Sequence, residues 1–203
     1  MRIDLHVHAS ERSDCAVSSE AEMLRAARRR GLAGVAFTDH GLLVPRKRLG
    51  ELRRRHAPLR IYSGIEVHAA GGDFLVLGLH EPALEEPDWQ YPELRRHVAE
   101  RGGFLVLAHP LRFQPYVDPE VLTCPPDALE VRSVNMAVCD PAAVGQVLRA
   151  LGCAALTNSD AHRAADVGAF WNDFEHLPAD DAELVAMLKA GRFQCAPNDR
   201  PGA

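Results

Sequence analysis

The sequence lacks the features that mark several protein classes. Acidic residues outnumber basic ones, 28 to 23, and the net charge of −5 gives the whole chain no electrostatic reason to bind nucleic acid or an anionic membrane. No run of about 18 apolar residues occurs, so we expect no transmembrane helix, and a strand begins at the N-terminus, so we expect no signal peptide. The five cysteines show no CxxC spacing, which predicts reduced thiols in a cytoplasmic protein rather than a disulfide framework.

The length and the hydrophobic content fit one domain. The 203 residues are 47% hydrophobic, which is enough for a sizeable core. No internal repeat or low-complexity segment divides the chain. We therefore predict a single domain over residues 1–203, with a frayed tail at 198–203.

Short apolar runs alternate with helical patterns. We predict seven strands, at residues 2–7, 34–38, 60–65, 73–79, 103–108, 128–132 and 153–157. Helices are predicted after the capping-box sequence Ser19-Glu20-Ala21-Glu22, at 48–56, after Pro92, after Pro141 and at 180–190. Apolar strands separated by helices predict an α/β fold with a parallel sheet covered on both faces.

Side chains with metal-binding chemistry follow five of the predicted strands. His6 and His8, at positions i and i+2 of an extended segment, point to the same face. The other four strands lead into His40, into Glu66, into His109, and into Asp160 with His162. The carboxyl ends of parallel strands spread along a line in an open doubly wound sheet, but they surround one mouth in a barrel. Ligands from five strands therefore favour a small, distorted barrel over the open sheet.

The candidate ligands are too many for one metal ion. They are His6, His8, Asp14, His40, Glu66, His109, Asp160 and His162. Because a tetrahedral zinc site takes four ligands, this set predicts two or three divalent ions, and mixed imidazole and carboxylate ligands suit zinc, manganese or iron. Such a cluster lowers the pKa of a bound water and holds the oxygens of an in-line displacement. This chemistry serves phosphoester hydrolysis, and it also serves amide or imine hydrolysis.

These residues resemble the motifs of the polymerase and histidinol phosphatase (PHP) domain family. The matching segments, in order, are Asp4-Leu5-His6-Val7-His8 with Ser13-Asp14, Thr38-Asp39-His40, Gly64-Ile65-Glu66, Ala108-His109-Pro110 and Ser159-Asp160-Ala161-His162. The resemblance extends from residue 3 to about residue 193. It implies a distorted (β/α)7 barrel, similar to a TIM barrel, with a metal cluster at its carboxyl-terminal mouth and phosphoesterase activity.

The resemblance also implies how the ligands are shared. His6, His8, Glu66 and Asp160 would hold a first ion, Glu66 and His109 a second, and Asp14, His40 and His162 a third. The sequence departs from the family at Leu75, where many members have a histidine ligand of the second ion. Asp73, His68 and His80 are nearby substitutes, although none aligns with that histidine. The number of ions, two or three, therefore stays open.

Three arginines follow predicted strand ends and are candidates for substrate binding. They are Arg112, Arg132 and Arg163, and a guanidinium binds phosphate oxygens through paired hydrogen bonds. Asp14 or His162 is expected to help proton movement on the leaving-group side. The basic segment around Arg53 and Arg54 is interpreted as a solvated helix face.

The function we expect is hydrolysis of small phosphomonoesters, nucleotides or short oligonucleotides by a metal-bound hydroxide, with nucleic acid only as a short substrate and no membrane partner. One alternative is a non-catalytic metal-binding or regulatory module like those attached to polymerases. A lower-ranked alternative is a metal-dependent amidohydrolase. It would predict a lysine ligand, and the two lysines, Lys47 and Lys189, follow no predicted strand.

Overall fold

Strands and helices alternate along residues 1–196, the part of the chain that the computed structural model describes; the predicted tail at 198–203 lies outside it. The strands are β1 (Arg2–Val7), β2 (Gly34–Phe37), β3 (Arg60–Ala70), β4 (Gly72–Leu77), β5 (Trp89–Gln90), β6 (Phe104–Leu107), β7 (Ala128–Arg132), β8 (Ala154–Thr157), β9 (Asn172–Phe174) and β10 (Phe193–Cys195). The helices are α1 (Glu20–Arg29), α2 (Arg46–His56), α3 (Tyr91–Glu100), α4 (Pro119–Thr123), α5 (Pro141–Leu151) and α6 (Asp181–Lys189). Within residues 1–196, each of these helices is too short or too polar to cross a membrane.

The helix starts follow the sequence signals. At α1, Ser19 accepts a hydrogen bond from the backbone N–H of Glu22, and the Glu22 carboxylate accepts one from the backbone N–H of Ser19. This is the predicted capping box, which satisfies two N–H groups that the helix cannot satisfy itself. Asp140 caps α5 and Asp180 caps α6 in a similar way.

The ten strands form a single sheet. Its order is β10-β9-β1-β2-β3-β4-β6-β7-β8, with β5 added to the end of β3. The pairs β1–β2, β2–β3, β6–β7 and β7–β8 are parallel. Two parallel blocks therefore lie on either side of β4.

The prediction of an all-parallel sheet is wrong at β4. This strand runs antiparallel to both β3 and β6. Only Gly71 separates the end of β3 from the start of β4, and so short a connection permits a hairpin but not a crossover helix. Gly71 and Gly72 adopt φ angles of 105° and 147°, conformations that favour glycine.

The sheet is nearly closed into a barrel, and an asparagine side chain joins its two ends. The buried Asn172 of β9 accepts a hydrogen bond from the N–H of Thr157 in β8 (3.0 Å) and donates one to the Thr157 carbonyl (2.9 Å). The amide thereby takes the place of a strand partner for the last residue of β8. The predicted fold class, a distorted, TIM-like α/β barrel, is confirmed, although β5, β9 and β10 had not been predicted.

Apolar side chains fill the barrel interior below its mouth. Leu5, Leu75 and Val106 belong to one buried cluster there, and the helix α6 contributes to the same cluster. Val7 packs outside the sheet, in the cluster that contains Phe37. The pairing of β1 with β2 shifts register between Asp4 and Val7, so that His6 and His8 join Leu5 in facing the interior.

We expect Asn172→Ala to lower the free energy of unfolding by about 2–3 kcal/mol, because a buried N–H and a buried carbonyl of Thr157 lose their partner. Urea unfolding followed by circular dichroism measures this. Gln194→Ala removes an exposed amide on β10 and serves as the control, with an expected change within about 0.5 kcal/mol. Equal losses in the two variants would contradict the closing role of Asn172.

Candidate metal centre

The mouth is the end of the barrel at which His6, His8, His40, Glu66, His109, Asp160 and His162 lie. Isolated backbone bridges align the segments there: Val7 pairs with Ala161, and His40 pairs with Glu66. The first bridge joins the end of β1 to the loop after β8, and the second joins the loop after β2 to β3. Segments that are distant in sequence are thus held side by side by backbone hydrogen bonds.

Glu66 is the centre of this arrangement. Its Oε1 lies 2.9 Å from His109 Nε2. Its Oε2 lies 3.3 Å from the Nε2 atoms of both His6 and His8, and 3.1 Å from His40 Nδ1. The carboxylate is 1% exposed, so four imidazoles surround one buried anion.

Asp160 is a second shared carboxylate. Its Oδ1 lies 3.3 Å from His6 Nε2, 3.2 Å from His8 Nε2 and 3.5 Å from His162 Nδ1. Its Oδ2 accepts a hydrogen bond of 2.7 Å from the amide of Asn135. The φ angle of Asp160 is 52°, in the left-handed region that aspartate tolerates better than most residues.

The side chains form four groups in which one ligand atom of each member lies within 4.8 Å of the others. They are His8 with His40 and His162, His6 with His109 and Asp160, His6 with His8 and Glu66, and Glu66 with Asp73 and His109. Among the described residues, His8 Nε2 and Asp160 Oδ1 are buried atoms without a hydrogen-bond partner. Buried polar atoms normally have partners, and a divalent cation bound between these two atoms would satisfy both. The residues therefore fit a metal cluster.

The protonation states also suit metal binding. Burial lowers the pKa of His8 to about 4, so its imidazole is neutral near pH 7 and can be a ligand. Burial opposes ionisation of Glu66 and Asp160, but the charge of His6 and the contacts with His8 and His109 together outweigh it and hold both pKa values below their ordinary range. Burial opposes the charge on His6 as well, yet the neighbouring carboxylates raise its pKa above the ordinary value. A bound cation would replace the proton that balances these anions.

Glu130 supports the site from beneath, and the sequence analysis missed it. This fully buried carboxylate accepts hydrogen bonds from His6 Nδ1 (3.0 Å), from the backbone N–H of His109 (3.0 Å) and from the amide of Asn158 (2.9 Å). With Nδ1 of His6 as donor, Nε2 is left to face the mouth. The available signal was a lone acidic residue inside the apolar strand Ala128-Leu129-Glu130-Val131.

Asp14 stands apart from the other predicted ligands. It is exposed, and its carboxylate belongs to none of the four groups found among residues 1–196. His40 and His162 instead group with His8, on which both rings stack at 4.5 and 4.2 Å between centroids. Ser13, the neighbour of Asp14, donates a hydrogen bond to Asp39, which also accepts one from the N–H of Ala9.

The three predicted substrate-binding arginines lie in different surroundings. Arg112 places Nη1 3.4 Å from Asp160 Oδ2 and covers the ring of Phe113. Arg163 is exposed, next to His162 in sequence. Arg132 donates a hydrogen bond to the carbonyl of Ala196 and covers the ring of Phe170. Of the three arginines, Arg112 is thus the one that contacts a candidate metal ligand within residues 1–196.

A cavity of about 300 Å³ adjoins the metal-ligand groups. It is lined by residues 68–73 at the β3–β4 turn, by Leu107 at the end of β6, and by residues 108–114, 116 and 117, which follow β6. His109 and Arg112 are among the lining residues, and the exposed rings of Phe113 and Tyr116 stand at its edge. A small molecule in this cavity would touch the candidate metal ligands directly.

Comparison with known proteins gives one family match. The model of a family described as PHP-associated matches residues 143–193, from α5 to β10. No curated protein matches the chain significantly.

Several solved structures share the fold. PsfC from Pseudomonas syringae PB-5123 is 20% identical to this chain, with a TM-score of 0.67. The match covers 94% of this chain and 97% of the PsfC chain. A two-domain protein from Bacteroides vulgatus ATCC 8482, containing a predicted PHP-like metal-dependent phosphoesterase, is 17% identical with a TM-score of 0.73; the match covers 97% of this chain and 64% of that one. An amidohydrolase from Chromobacterium violaceum with bound sulfate is 19% identical to this chain, with a TM-score of 0.64. The match covers 98% of this chain and 99% of the amidohydrolase chain.

We expect Glu130→Gln to weaken manganese or zinc binding by roughly 10–100-fold, the usual effect of losing an anionic partner behind a histidine ligand. Isothermal titration calorimetry on metal-depleted protein measures the affinity. Glu175→Gln is the control, because Glu175 is an exposed carboxylate paired with Arg192. Unchanged affinity in a folded Glu130→Gln protein would contradict the supporting role.

Proposed function

We propose that this chain is a metal-dependent phosphoesterase of the PHP domain family, and that it acts on small phosphomonoesters, nucleotides or short oligonucleotides. The family-model match and the structural neighbours support the PHP domain family for this chain. The observation that carries the proposal is the convergence of four imidazoles on the buried carboxylate of Glu66, beside an open cavity. A second carboxylate, Asp160, shares two of these imidazoles.

The side chains divide among two or three ions. His6, His8, Glu66 and Asp160 would hold the first ion, and Glu66 and His109 would contribute ligands to the second. His40 and His162 would hold a third, to which the family resemblance also assigns Asp14, an exposed residue outside the ligand groups found in residues 1–196. Zinc, manganese and iron suit this ligand set. Bound ions of this kind lower the pKa of a water molecule and stabilise the negative charge of phosphoryl oxygens.

Arg112 and the cavity supply the substrate site. The Arg112 side chain is 27% exposed, and its guanidinium is already directed to the mouth by Asp160. A phosphoryl group that enters the cavity meets this cation and the imidazole of His109 together. Arg163, exposed beside His162, is proposed to reach the substrate from the other side.

His162 is proposed to help move a proton. Its Nδ1 donates a hydrogen bond to the Asp160 carbonyl, at 3.1 Å, which leaves the lone pair of Nε2 to bind the third ion or, where that ion is not bound, to accept a proton. The ring is 21% exposed, so solvent or a leaving group can reach it. Asp14 is exposed and is proposed for the same task on the leaving-group side.

An amidohydrolase is the second candidate, because one structural neighbour carries that description. A carboxylated lysine ligand is not available from the two lysines. Lys189 donates to the carbonyl of Gly102, in the turn that precedes β6, and Lys47 lies in α2. Parallel assays of p-nitrophenyl phosphate and of amide and imine substrates separate the candidates. A folded, metal-loaded protein that hydrolyses neither class would instead favour a binding or regulatory module.

Glu66→Ala should remove bound metal and reduce kcat/KM for p-nitrophenyl phosphate by roughly three orders of magnitude, since several kcal/mol of transition-state stabilisation depend on the ions. Elemental analysis and steady-state kinetics with added Mn²⁺ or Zn²⁺ measure the two effects. Glu175→Ala, at an exposed site, should change neither. Full metal content and full rate in Glu66→Ala would refute the central role of Glu66.

Arg112→Ala should raise KM or lower kcat for phosphorylated substrates by about 10–100-fold, corresponding to one lost charge-assisted contact of about 1.5–3 kcal/mol. Arg163→Ala should act in the same direction. Arg132→Ala is the matched comparison, because Arg132 is bound to Ala196 and Phe170. Kinetics of Arg112→Ala indistinguishable from the wild type would remove Arg112 from the substrate site.

A further inference from the structure

We propose that Asp73 is a ligand of the second metal ion, together with Glu66 and His109. The inference rests on the proposed metal centre and identifies a third protein ligand for the second ion. One ligand atom from each of the three residues lies within 4.8 Å of the others. Two metal–ligand bonds of about 2.0–2.2 Å each span nearly this distance, so a small side-chain shift brings all three onto one ion.

The reversed direction of β4 brings Asp73 to the mouth. In the parallel strands, the carboxyl-terminal end carries the ligands. Because β4 runs antiparallel to β3 and β6, it is the start of β4 that lies at the mouth. Asp73 is the second residue of β4 and pairs with His68 on β3, two residues beyond Glu66. Its side chain lies on the same face of the sheet as Glu66.

Leu75 lies one pair deeper in the barrel. It is opposite Glu66 in the β3–β4 register and is fully buried in the apolar interior cluster. A leucine cannot bind a metal ion, so the second ion must take its next protein ligand from elsewhere. Asp73 lies two residues nearer the mouth than Leu75, on the same face of β4. Its carboxylate is next to Glu66 and His109 and offers an oxygen that can bind the second ion.

The backbone of Asp73 is fixed relative to His109. The Asp73 carbonyl accepts a hydrogen bond from the N–H of Ala108, at 2.9 Å, immediately before His109. Asp73 Oδ2 lies 4.0 Å from His109 Nδ1, and the His109 ring also contacts Glu66. The Asp73 side chain is 20% exposed and lines the 300 Å³ cavity, so an ion held there is open to substrate.

The other two nearby histidines are less suited to the ion. His80 Nε2 donates to the carbonyl of Val44, away from these ligands. His68 is 85% exposed, and its Nδ1 lies 2.7 Å from Asp73 Oδ1. An exposed pair of this kind contributes little to stability and does little to hold the Asp73 carboxylate in place. His68 is therefore outside the ligand set, and Asp73 is the ligand.

The test counts metal ions rather than turnover. Wild-type, Asp73→Asn and His68→Gln proteins are depleted of metal, reloaded with Mn²⁺ and examined by equilibrium dialysis, elemental analysis and electron paramagnetic resonance. We expect Asp73→Asn to lose about one Mn²⁺ per chain, or to bind that ion roughly tenfold or more weakly, and to lose the spin coupling between neighbouring ions. His68→Gln should keep the wild-type stoichiometry, and Asp73→Glu, which retains a carboxylate, should recover most of it.

Each outcome decides for or against the inference. Wild-type stoichiometry, affinity and spin coupling in a folded Asp73→Asn protein would overturn it, as would a loss in His68→Gln equal to that in Asp73→Asn. If Asp73→Asn loses the ion while the wild-type protein hydrolyses no phosphoester, the inference stands and the proposed function fails. If the wild-type protein binds no Mn²⁺, both fail.

Discussion

The buried carboxylate of Glu66 is the constraint on which the mouth of the barrel depends. An anion with 1% exposure is unfavourable in an apolar interior unless positive charge compensates it. Imidazoles at the end of β1 and just after β1, β2 and β6 approach it within 2.9–3.3 Å, so the ends of these strands must lie close together. The same compensation makes the cluster a place for cations, since a metal ion neutralises carboxylates that would otherwise require protonated histidines.

The surrounding structure maintains this cluster in two ways. Below it, apolar side chains such as Leu5 and Leu75 exclude water from the barrel interior. Beside it, buried polar side chains bind backbone groups that lack strand partners: Glu130 holds the N–H of His109, and Asn172 joins β8 to β9. The interior therefore changes from apolar to ionic within a few residues along each strand, and the chemistry is confined to the mouth.

Much of this could be predicted from the sequence. The strand-end positions of His6, Glu66 and Asp160 are visible because each follows an apolar run, and parallel strands place their carboxyl ends together. Asp73 could be named only as one of three nearby substitutes, because it lies at the start of β4, a strand whose reversal depends on the one-residue connection at Gly71. Strands of two or three residues, such as β9, have no detectable periodicity, so the closure of the barrel was also hidden.

The β3–β4 hairpin has a consequence for how such a barrel can diversify. Its turn lies beside the cavity, and a Cβ atom added at Gly71 would come within 3.3 Å of Asp118 and Val121. Insertions or substitutions in this turn would displace α4 and reshape the cavity wall, while leaving the parallel strands and Glu66 in place. Selection for a new substrate can thus act on one peripheral loop without rebuilding the parallel strands that carry Glu66 and the other candidate ligands of the first ion.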